Sequence, residues 1–253
     1  MIGIVGGIGP YSGLDLLKKV FDNTLANNDQ EHLDAVLISA SSKIKDRTEY
    51  LIGAIKENPA IAIAEVLLKL HATGAIVAGI PCNTAHSEKI LNVIHQELIN
   101  ADCTIKVLNM IEETVAFIKL NYPEISKVGV LSTTGTYKSG VYAKLLKSKG
   151  FEAIVPSIEM QEALIHPAIY HPTYGIKSIS NPVHPQARKN LMQGMSFFKE
   201  KGAKAVILGC TEIPLAITEP LVNEMITIDP TYVLARALIH NTTPSKLKPL
   251  TQL

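Results

Sequence analysis

Two cysteines of this 253-residue chain stand in short polar sequences that directly follow an apolar run. Cys82 lies in PCNTAH, and Cys210 lies in GCTEIPL. A thiol has an ordinary pKa near 8.5, so it serves as acid or base after modest tuning. Two thiols on opposite faces of one carbon can remove a proton from one face and return a proton to the other. Such a pair would invert a stereocentre.

Other uses of the cysteines also have to be weighed. A redox pair normally lies close together as C-x-x-C, whereas positions 82 and 210 are 128 residues apart. A cysteine hydrolase needs a histidine base, and His86 follows Cys82 closely, but no partner is evident for Cys210. A buried cysteine can also simply fill space. We expect that last role for Cys103, and the equivalent settings of the other two favour proton transfer.

The elements around these cysteines predict an α/β fold. Short apolar runs without alternation, typical of parallel strands buried on both faces, alternate with helix-length amphipathic stretches. The predicted strands are Ile2–Val5, Ala35–Ser39, Ala75–Ile80, Ile105–Leu108, Lys127–Leu131, Ala153–Val155, Ala205–Leu208 and Met225–Ile228. The predicted helices are Gly13–Asn27, Pro59–Thr73, Ser87–Asn100, Ile111–Asn121, Gly140–Lys149, Pro185–Lys201 and Thr231–His240. Ligands of such folds bind beyond the carboxyl ends of the strands, where both cysteines are predicted.

The sequence also repeats itself. Gly-Ala precedes an apolar strand and a cysteine at the same offsets in both cysteine segments, at positions 74 and 202. The segment GIVGGIGPYSG from Gly3 resembles GVLSTTGTYKSG from Gly129. Two matches in the same order indicate a duplicated half. We therefore expect two similar parallel-sheet α/β domains related by pseudo-symmetry, residues 1–103 with 222–253 and residues 104–221, with the active site in the cleft between them.

Composition and charge exclude several classes of protein. The formal net charge of +1, with basic residues scattered, does not suit a nucleic-acid binder. No apolar run approaches the ~20 residues of a membrane span, and MIGIVGG is a strand-like start without a signal-peptide pattern. Three irregularly spaced cysteines predict neither a disulfide framework nor a metal site. We expect a cytoplasmic protein that contacts neither membrane nor nucleic acid.

The glycine-rich start has a second interpretation. Gly7-Ile8-Gly9 after a strand is part of a dinucleotide-binding fingerprint, but Ser12 stands where the third glycine belongs. The second strand ends at Ser39 without the acidic residue that binds the ribose. These glycines are better explained by close approach of the backbone to a small substrate.

Six sequence motifs identify a family resemblance. They are GGIGP at 6–10, DRT at 46–48, PCNTAH at 81–86, LNMIEET at 108–114, STTGT at 132–136 and GCTEIPL at 209–215. In this order they resemble the aspartate racemase branch of the aspartate/glutamate racemase superfamily. The resemblance implies two α/β domains with the site between them, a homodimer, catalysis without pyridoxal phosphate or another cofactor, and a small acidic amino acid as substrate.

The resemblance also implies roles for individual residues. Cys82 and Cys210 would be the two acid/base groups, Arg47 would hold a carboxylate through its planar fork, and Lys177 would bind the second carboxylate. Glu212 favours the aspartate branch, because glutamate racemases usually carry histidine there. The remaining residues expected at the substrate are Ile8, Asn83, Thr84, Ala85, Thr134, Thr211 and Glu212 itself.

Two features depart from the family pattern. Ile8 stands where methionine is usual, which would change packing against the substrate. The stretch His166–Arg188 is longer than usual and crowded with proline, histidine and tyrosine. It is interpreted as an extended lid, a dimer contact or an ordinary ordered loop, and its histidines are not expected to bind metal.

Several functions remain compatible with these residues. The leading hypothesis is an aspartate racemase with a two-base mechanism, and close alternatives are a broad-specificity or a glutamate racemase. A decarboxylase or isomerase of the same superfamily usually differs in one cysteine. A protein of a different class, a non-catalytic amino-acid-binding module, would not need both thiols.

Overall fold

Four short strands of the N-terminal part form one parallel sheet in the computed structural model, which describes residues 1–250. The strands are β1 (Ile2–Gly6), β2 (Ala35–Ser39), β3 (Val77–Gly79) and β4 (Lys106–Leu108), in the order β2-β1-β3-β4. The strand β1 is buried along its whole length, because it has neighbours on both sides and helices on both faces.

Two apolar clusters enclose this first sheet. Neighbouring residues of one strand, Ile4 and Val5, enter different clusters, since side chains alternate between the two faces of a sheet. The helices of this part are α1 (Pro10–Asp22), α2 (Arg47–Ile52), α3 (Ala60–Ala72), α4 (Glu88–Asn100) and α12 (Pro230–Thr242). Helix α5 (Met110–Asn121) begins in this part and continues into the second, which starts at Thr114. Helices α3 and α4 pack in one cluster, and α1 and α12 pack in the other.

The second sheet contains β5 to β9 and is parallel apart from one edge. Its strands are β5 (Lys127–Ser132), β6 (Glu152–Ile154), β7 (Ala205–Gly209), β8 (Leu221–Val222) and β9 (Met225–Ile228), in the order β6-β5-β7-β9-β8, and only β8 runs antiparallel to its neighbour. Its helices are α6 (Thr134–Ser139), α7 (Val141–Ser148), α8 (Ile158–Met160), a π-helical turn (Gln161–Ile165), α9 (His166–Tyr170), α10 (Pro185–Glu200) and α11 (Ile213–Ala216).

The two sheets have the same strand succession. Among the parallel strands of each sheet, the first lies between the second and the third, and the fourth pairs with the third; the antiparallel β8 is an addition at the edge of the second sheet. Cys82 follows the third strand of its sheet, and Cys210 follows the third strand of the other. The expected fold class, two similar α/β units with parallel sheets, is thereby confirmed.

The repeated Gly-Ala pair has a local structural cause. Gly74 and Gly202 adopt left-handed conformations just beyond helices α3 and α10. The amide of the following alanine donates back to the carbonyl of Leu70 in one case and of Phe198 in the other, at 3.1 and 3.0 Å. This is the Schellman pattern that ends many helices. The shared strand order is therefore the stronger sign of duplication.

The chain divides into two compact units at positions other than those expected. One unit comprises residues 1–113 and the segment from Thr231 onwards, and the other is Thr114–Pro230. Strand β4 was expected after the first boundary but pairs with β3, and β9 was expected back in the first domain but pairs with β7. Cys103 consequently lies within the first unit rather than in a connection between halves.

The stretch 166–188 begins as a helix rather than a loop. Helix α9 covers its first residues, and Ala168, Ile169 and Ile176 are fully buried in the apolar cluster of the second unit. The first half of the stretch is therefore part of the packed core. Within residues 1–250, no helix is long and apolar enough to cross a membrane.

Candidate active site

Cys82 begins a tight turn at the carboxyl end of β3. Its backbone amide donates to the carbonyl oxygen of Ile80 at 2.7 Å, and a 3-10 helix, Asn83–His86, follows before α4. The thiol-bearing residue is 7% exposed. Asn83, Thr84 and Ala85 are buried in the same turn, so three predicted substrate residues lie directly beside the cysteine.

His86 closes this turn. Its Nε2 lies 3.2 Å from the same Ile80 oxygen that the Cys82 amide contacts. Burial lowers the pKa of His86 to about 4, so the imidazole is neutral near pH 7 and donates from Nε2. Its Nδ1 is buried without a hydrogen-bond partner among the described residues. The histidine therefore fixes the strand end that carries Cys82, and sequence reasoning had left it without a role.

Arg47 is buried rather than solvated. It is the first residue of α2, whose N-terminus is capped by Asp46 through bonds from the amides of Thr48 and Glu49 at 2.7 and 3.0 Å. The guanidinium donates to the carbonyl of Lys45 at 3.0 Å and to the carbonyl of Ile8. The predicted residues Arg47 and Ile8 are thus brought together, and the arginine joins the turns that follow β1 and β2.

Cys210 lies in a charged environment. It follows β7 directly, and its Sγ donates to Oε2 of Glu212 at 3.0 Å, while the hydroxyl of Thr211 lies 3.3 Å from the same oxygen. The other carboxylate oxygen of Glu212 accepts from Nζ of Lys177 at 2.9 Å. One carboxylate therefore links a thiol to an ammonium group.

The charge of Glu212 affects the cysteine. Burial raises the pKa of the Cys210 thiol well above its ordinary value, and the negative charge of Glu212 raises that pKa further, while Lys177 opposes the shift. Cys210 is therefore a protonated thiol near pH 7. The three residues Lys177, Thr211 and Glu212, each predicted for the substrate site, gather around it.

Thr134 belongs to a second polar network of the same unit. Its hydroxyl lies 3.0 Å from Nδ1 of His166 and accepts from the amide of Gln161 at 3.3 Å. Gln161 also donates to the carbonyl of Ser132 at 3.1 Å. Neither Gln161 nor His166 was predicted as a site residue. The crowded histidines and tyrosines beyond position 166 were the available signal.

Cys103 has a different setting from the other two cysteines. It follows α4, its amide donates to the carbonyl of Leu98 at 2.9 Å, and its side chain packs half-buried at the edge of an apolar cluster. All three cysteines are free thiols. Residues 1–250 contain no group of three histidine, cysteine, aspartate or glutamate side chains arranged to hold a metal ion.

The chain is similar to known racemases over nearly its whole length. It is 27% identical to the broad specificity amino-acid racemase RacX of Bacillus subtilis over 94% of this chain and 96% of that protein. The structure matches Picrophilus torridus aspartate racemase with a TM-score of 0.78, 28% identity, and coverage of 98% of this chain and 95% of that one. It shares its fold with glutamate racemase from Francisella tularensis, at a TM-score of 0.67, 19% identity, and coverage of 99% and 84%.

A family model settles the relationship that these individual similarities indicate. The model for Asp/Glu/hydantoin racemases matches residues 5–238, a span that includes both cysteine turns and every strand of both sheets apart from the start of β1. The expected enzyme class, an amino-acid racemase and hence an isomerase, is confirmed. The chain therefore belongs to the Asp/Glu/hydantoin racemase family.

Proposed function

We propose that this protein racemises an acidic amino acid, aspartate in the first place, without a cofactor, and that Cys82 and Cys210 are its two acid/base groups. One observation carries the proposal. Two free, nearly buried cysteines directly follow the third strands of two sheets with the same strand order. Racemisation needs an acid/base group on each face of the α-carbon, and this fold places a cysteine at the same position of each of its two sheets.

The proposed chemistry is a proton exchange at Cα of the bound amino acid. The thiolate of one cysteine takes the α-proton, and the electron pair of the broken C–H bond delocalises into the α-carboxylate. The thiol of the other cysteine donates its proton to the opposite face of the carbon. The product is the other enantiomer, and the cysteines have exchanged protonation states, so the reverse reaction uses the same groups in the opposite order.

The Cys210 side of this scheme starts as the acid. Its raised pKa keeps a proton on the thiol, and Glu212 accepts that proton's hydrogen bond. For the opposite direction Cys210 is the thiolate and takes the α-proton, and Glu212 again accepts the hydrogen bond of the thiol that results. Asn83, Thr84 and Ala85, with Thr211, are proposed to hold the α-carboxylate and the amino group, and Thr134 and Ile8 to line the site.

The preference for an acidic substrate rests on two cations. Arg47 and Lys177 are proposed to bind carboxylates, the arginine with a planar fork and the lysine as a point charge. The similarity to the aspartate racemase of Picrophilus torridus supports aspartate as the first substrate to test.

A second candidate is a racemase of broad specificity. The ammonium of Lys177 is already paired with Glu212 at 2.9 Å, so a side-chain carboxylate has to compete for it. A substrate with a neutral side chain would leave that pair intact. The similarity to RacX of Bacillus subtilis points in the same direction.

Two further parts of the proposal concern the environment of the enzyme. The mechanism needs reduced thiols, which favours the reducing cytoplasm. The family resemblance of the motifs favours a homodimer. Light scattering of the purified protein would test the dimer, with a monomeric mass as the contradicting result.

Proton exchange provides the test of the proposed function. Purified enzyme in deuterated buffer, without pyridoxal phosphate and with hydroxylamine to trap any carried over, is incubated with single enantiomers of aspartate, glutamate, alanine and serine. We expect deuterium at Cα together with the opposite enantiomer, fastest for aspartate. Similar rates for neutral amino acids would favour the broad-specificity candidate. No exchange with any amino acid would contradict the racemase proposal.

A further inference from the structure

Helix α9, at the start of the stretch 166–188, carries a stacked pair of aromatic rings. His166 and Tyr170 are four residues apart on α9, so their side chains lie on the same face of the helix. Their ring centroids are 4.9 Å apart, and the ring planes differ by only 16°. This part of the chain follows a π-helical turn, a feature that is common near functional sites.

The stacked pair is connected at both ends. On one side Nδ1 of His166 lies 3.0 Å from the hydroxyl of Thr134, at the start of α6. On the other side Nζ of Lys177 lies 5.6 Å from the centroid of the Tyr170 ring, within the range of a cation–π contact. The ring of Tyr170 therefore stacks on the His166 ring and also lies within cation–π distance of the Lys177 ammonium.

The two described partners of Lys177 behave differently when a substrate carboxylate binds. The carboxylate of Glu212, 2.9 Å away, competes directly with any incoming carboxylate for the ammonium group. The aromatic ring does not compete, because it attracts the cation through its quadrupole and accepts none of the charge-assisted hydrogen bonds. The lysine side chain loses less conformational freedom when it binds a carboxylate if the Tyr170 ring already restricts its position.

We propose that Tyr170, backed by His166, is a positioning residue that holds the Lys177 ammonium for a side-chain carboxylate and so sets the preference for dicarboxylic amino acids. The inference rests on the proposed function, in which Lys177 binds that carboxylate. It gives the unusual stretch after position 166 a role in substrate selection.

The same stretch supplies a matched control. His171 and Tyr174 form a second stack, with centroids 3.9 Å apart and planes 14° apart. The next ring beside Tyr174 is that of His184, at 6.1 Å, and both tyrosines pack against the same apolar cluster. Replacing Tyr174 therefore removes comparable packing and a comparable stack from the same region.

The experiment compares Tyr170→Leu, Tyr170→Phe and Tyr174→Leu in steady-state racemisation. For Tyr170→Leu we expect KM for aspartate to rise by roughly three- to tenfold, the size of a partly buried cation–π contact, with kcat little changed. The constant for alanine, as substrate or as competitive inhibitor, should stay the same. Tyr170→Phe keeps the ring face and should restore the wild-type KM, and Tyr174→Leu should change neither constant selectively.

Three outcomes would overturn this inference. One is an equal change for aspartate and alanine in Tyr170→Leu, which indicates a merely structural role, and another is a Tyr170→Phe variant that behaves like Tyr170→Leu. If Tyr170→Leu does not fold, His166→Ala is the substitute, and an unchanged KM for aspartate there would be the contradicting result. If the wild-type enzyme racemises aspartate and the variants have the same substrate selectivity as the wild type, only this inference is refuted. Wild-type enzyme that exchanges no α-proton refutes the proposed function instead.

Discussion

The turns that carry Cys82 and Cys210 occupy the same place in two similar sheets but differ in their electrostatics. The hydrogen bonds described for the Cys82 turn involve neutral groups, namely backbone amides, a buried uncharged imidazole and the carbonyl of Ile80. Around Cys210 they are charged, since Glu212 and Lys177 form an ion pair and the thiol donates to that pair's carboxylate.

This difference shows that two sheets with the same strand order can share the position of a thiol and still differ in the charges around it. The strand order fixes where the chain emerges from each sheet, and hence where each thiol stands. The residue two positions later differs between the two turns: it is Thr84 after Cys82 and Glu212 after Cys210. The two thiols can therefore be tuned separately, and a near-symmetric reaction can be run by unlike groups.

The largest test of the comparison replaces each thiol. If both act as acid and base, Cys82→Ala and Cys210→Ala should each lower the racemisation rate roughly a thousandfold or more, since each removes one required proton-transfer group. Polarimetry or chiral chromatography measures the rate. The matched control is Cys103→Ala, for which we expect near wild-type activity because that thiol packs at the edge of an apolar cluster.

Full activity in either variant at positions 82 or 210 would break the equivalence of the two turns. Loss of activity in all three variants would point instead to unfolding, which circular dichroism of each variant distinguishes.

A smaller effect is expected from the neutral histidine on the Cys82 side. Burial lowers the pKa of His86 from 6.5 to about 4. Between these two pH values the imidazole is protonated in the unfolded chain but neutral in the folded one, so the unfolded state is favoured as the pH falls. The contribution of His86 to stability is complete above pH 6.5 and is lost as the pH falls towards 4. Between about pH 7.5 and about pH 5 the loss is about 2 kcal/mol.

Urea unfolding at these two pH values measures that loss. His86→Gln keeps a side-chain amide that can donate to Ile80 but does not titrate, so its stability should fall by about 2 kcal/mol less than that of the wild type. Parallel losses in the two proteins would show that the Cys82 turn is not held by a neutral imidazole.

The smallest test changes the reactivity of Cys210 without removing either of the two thiols. Glu212→Gln removes the negative charge that raises the pKa of Cys210 and leaves Lys177, which lowers it. More thiolate is then present at a given pH, so alkylation of Cys210 by iodoacetamide, followed by peptide mass spectrometry, should be faster than in the wild type. Alkylation of Cys82 in the same sample serves as the internal control. Equal acceleration at both cysteines would indicate a general opening of the protein rather than loss of a charge.

Much of the fold was predictable because the signals are local and strong. Two predicted strands, Ala35–Ser39 and Met225–Ile228, have the observed limits, and the long helices differ by a few residues at their ends, most at α1. Short elements such as α2, α6, α11 and β8 were not predicted. Their few residues carry no periodic pattern, and capping by Asp46 or Thr133 is what fixes two of these helices.

The candidate site was predictable only as separate groups. The sequence indicated Cys82 with its following residues and Cys210 with Glu212, because each group is contiguous in the chain. It did not indicate that Arg47 would contact the carbonyl of Ile8, that His86 would share the Ile80 carbonyl with Cys82, or that Tyr170 would face Lys177. The first contact joins the turns that follow β1 and β2, and the other two depend on the exact backbone path of a turn and of the segment after α9.

By itself, the sequence determined the fold class and the family and singled out Cys82 and Cys210 as candidates. Apolar runs, helix-ending residues and contiguous motifs are local features that can be read directly from the sequence. Only the tertiary structure decided which unit each strand joins, that β4 and β9 pair within their own sheets, and that a single carboxylate joins Cys210 to Lys177. Sheet pairing is set by strands distant in sequence, and the pKa of the Cys210 thiol depends on the distant Lys177 as well as on the nearby Glu212. The pKa of a buried thiol depends on those neighbours rather than on the residues beside it in the chain alone.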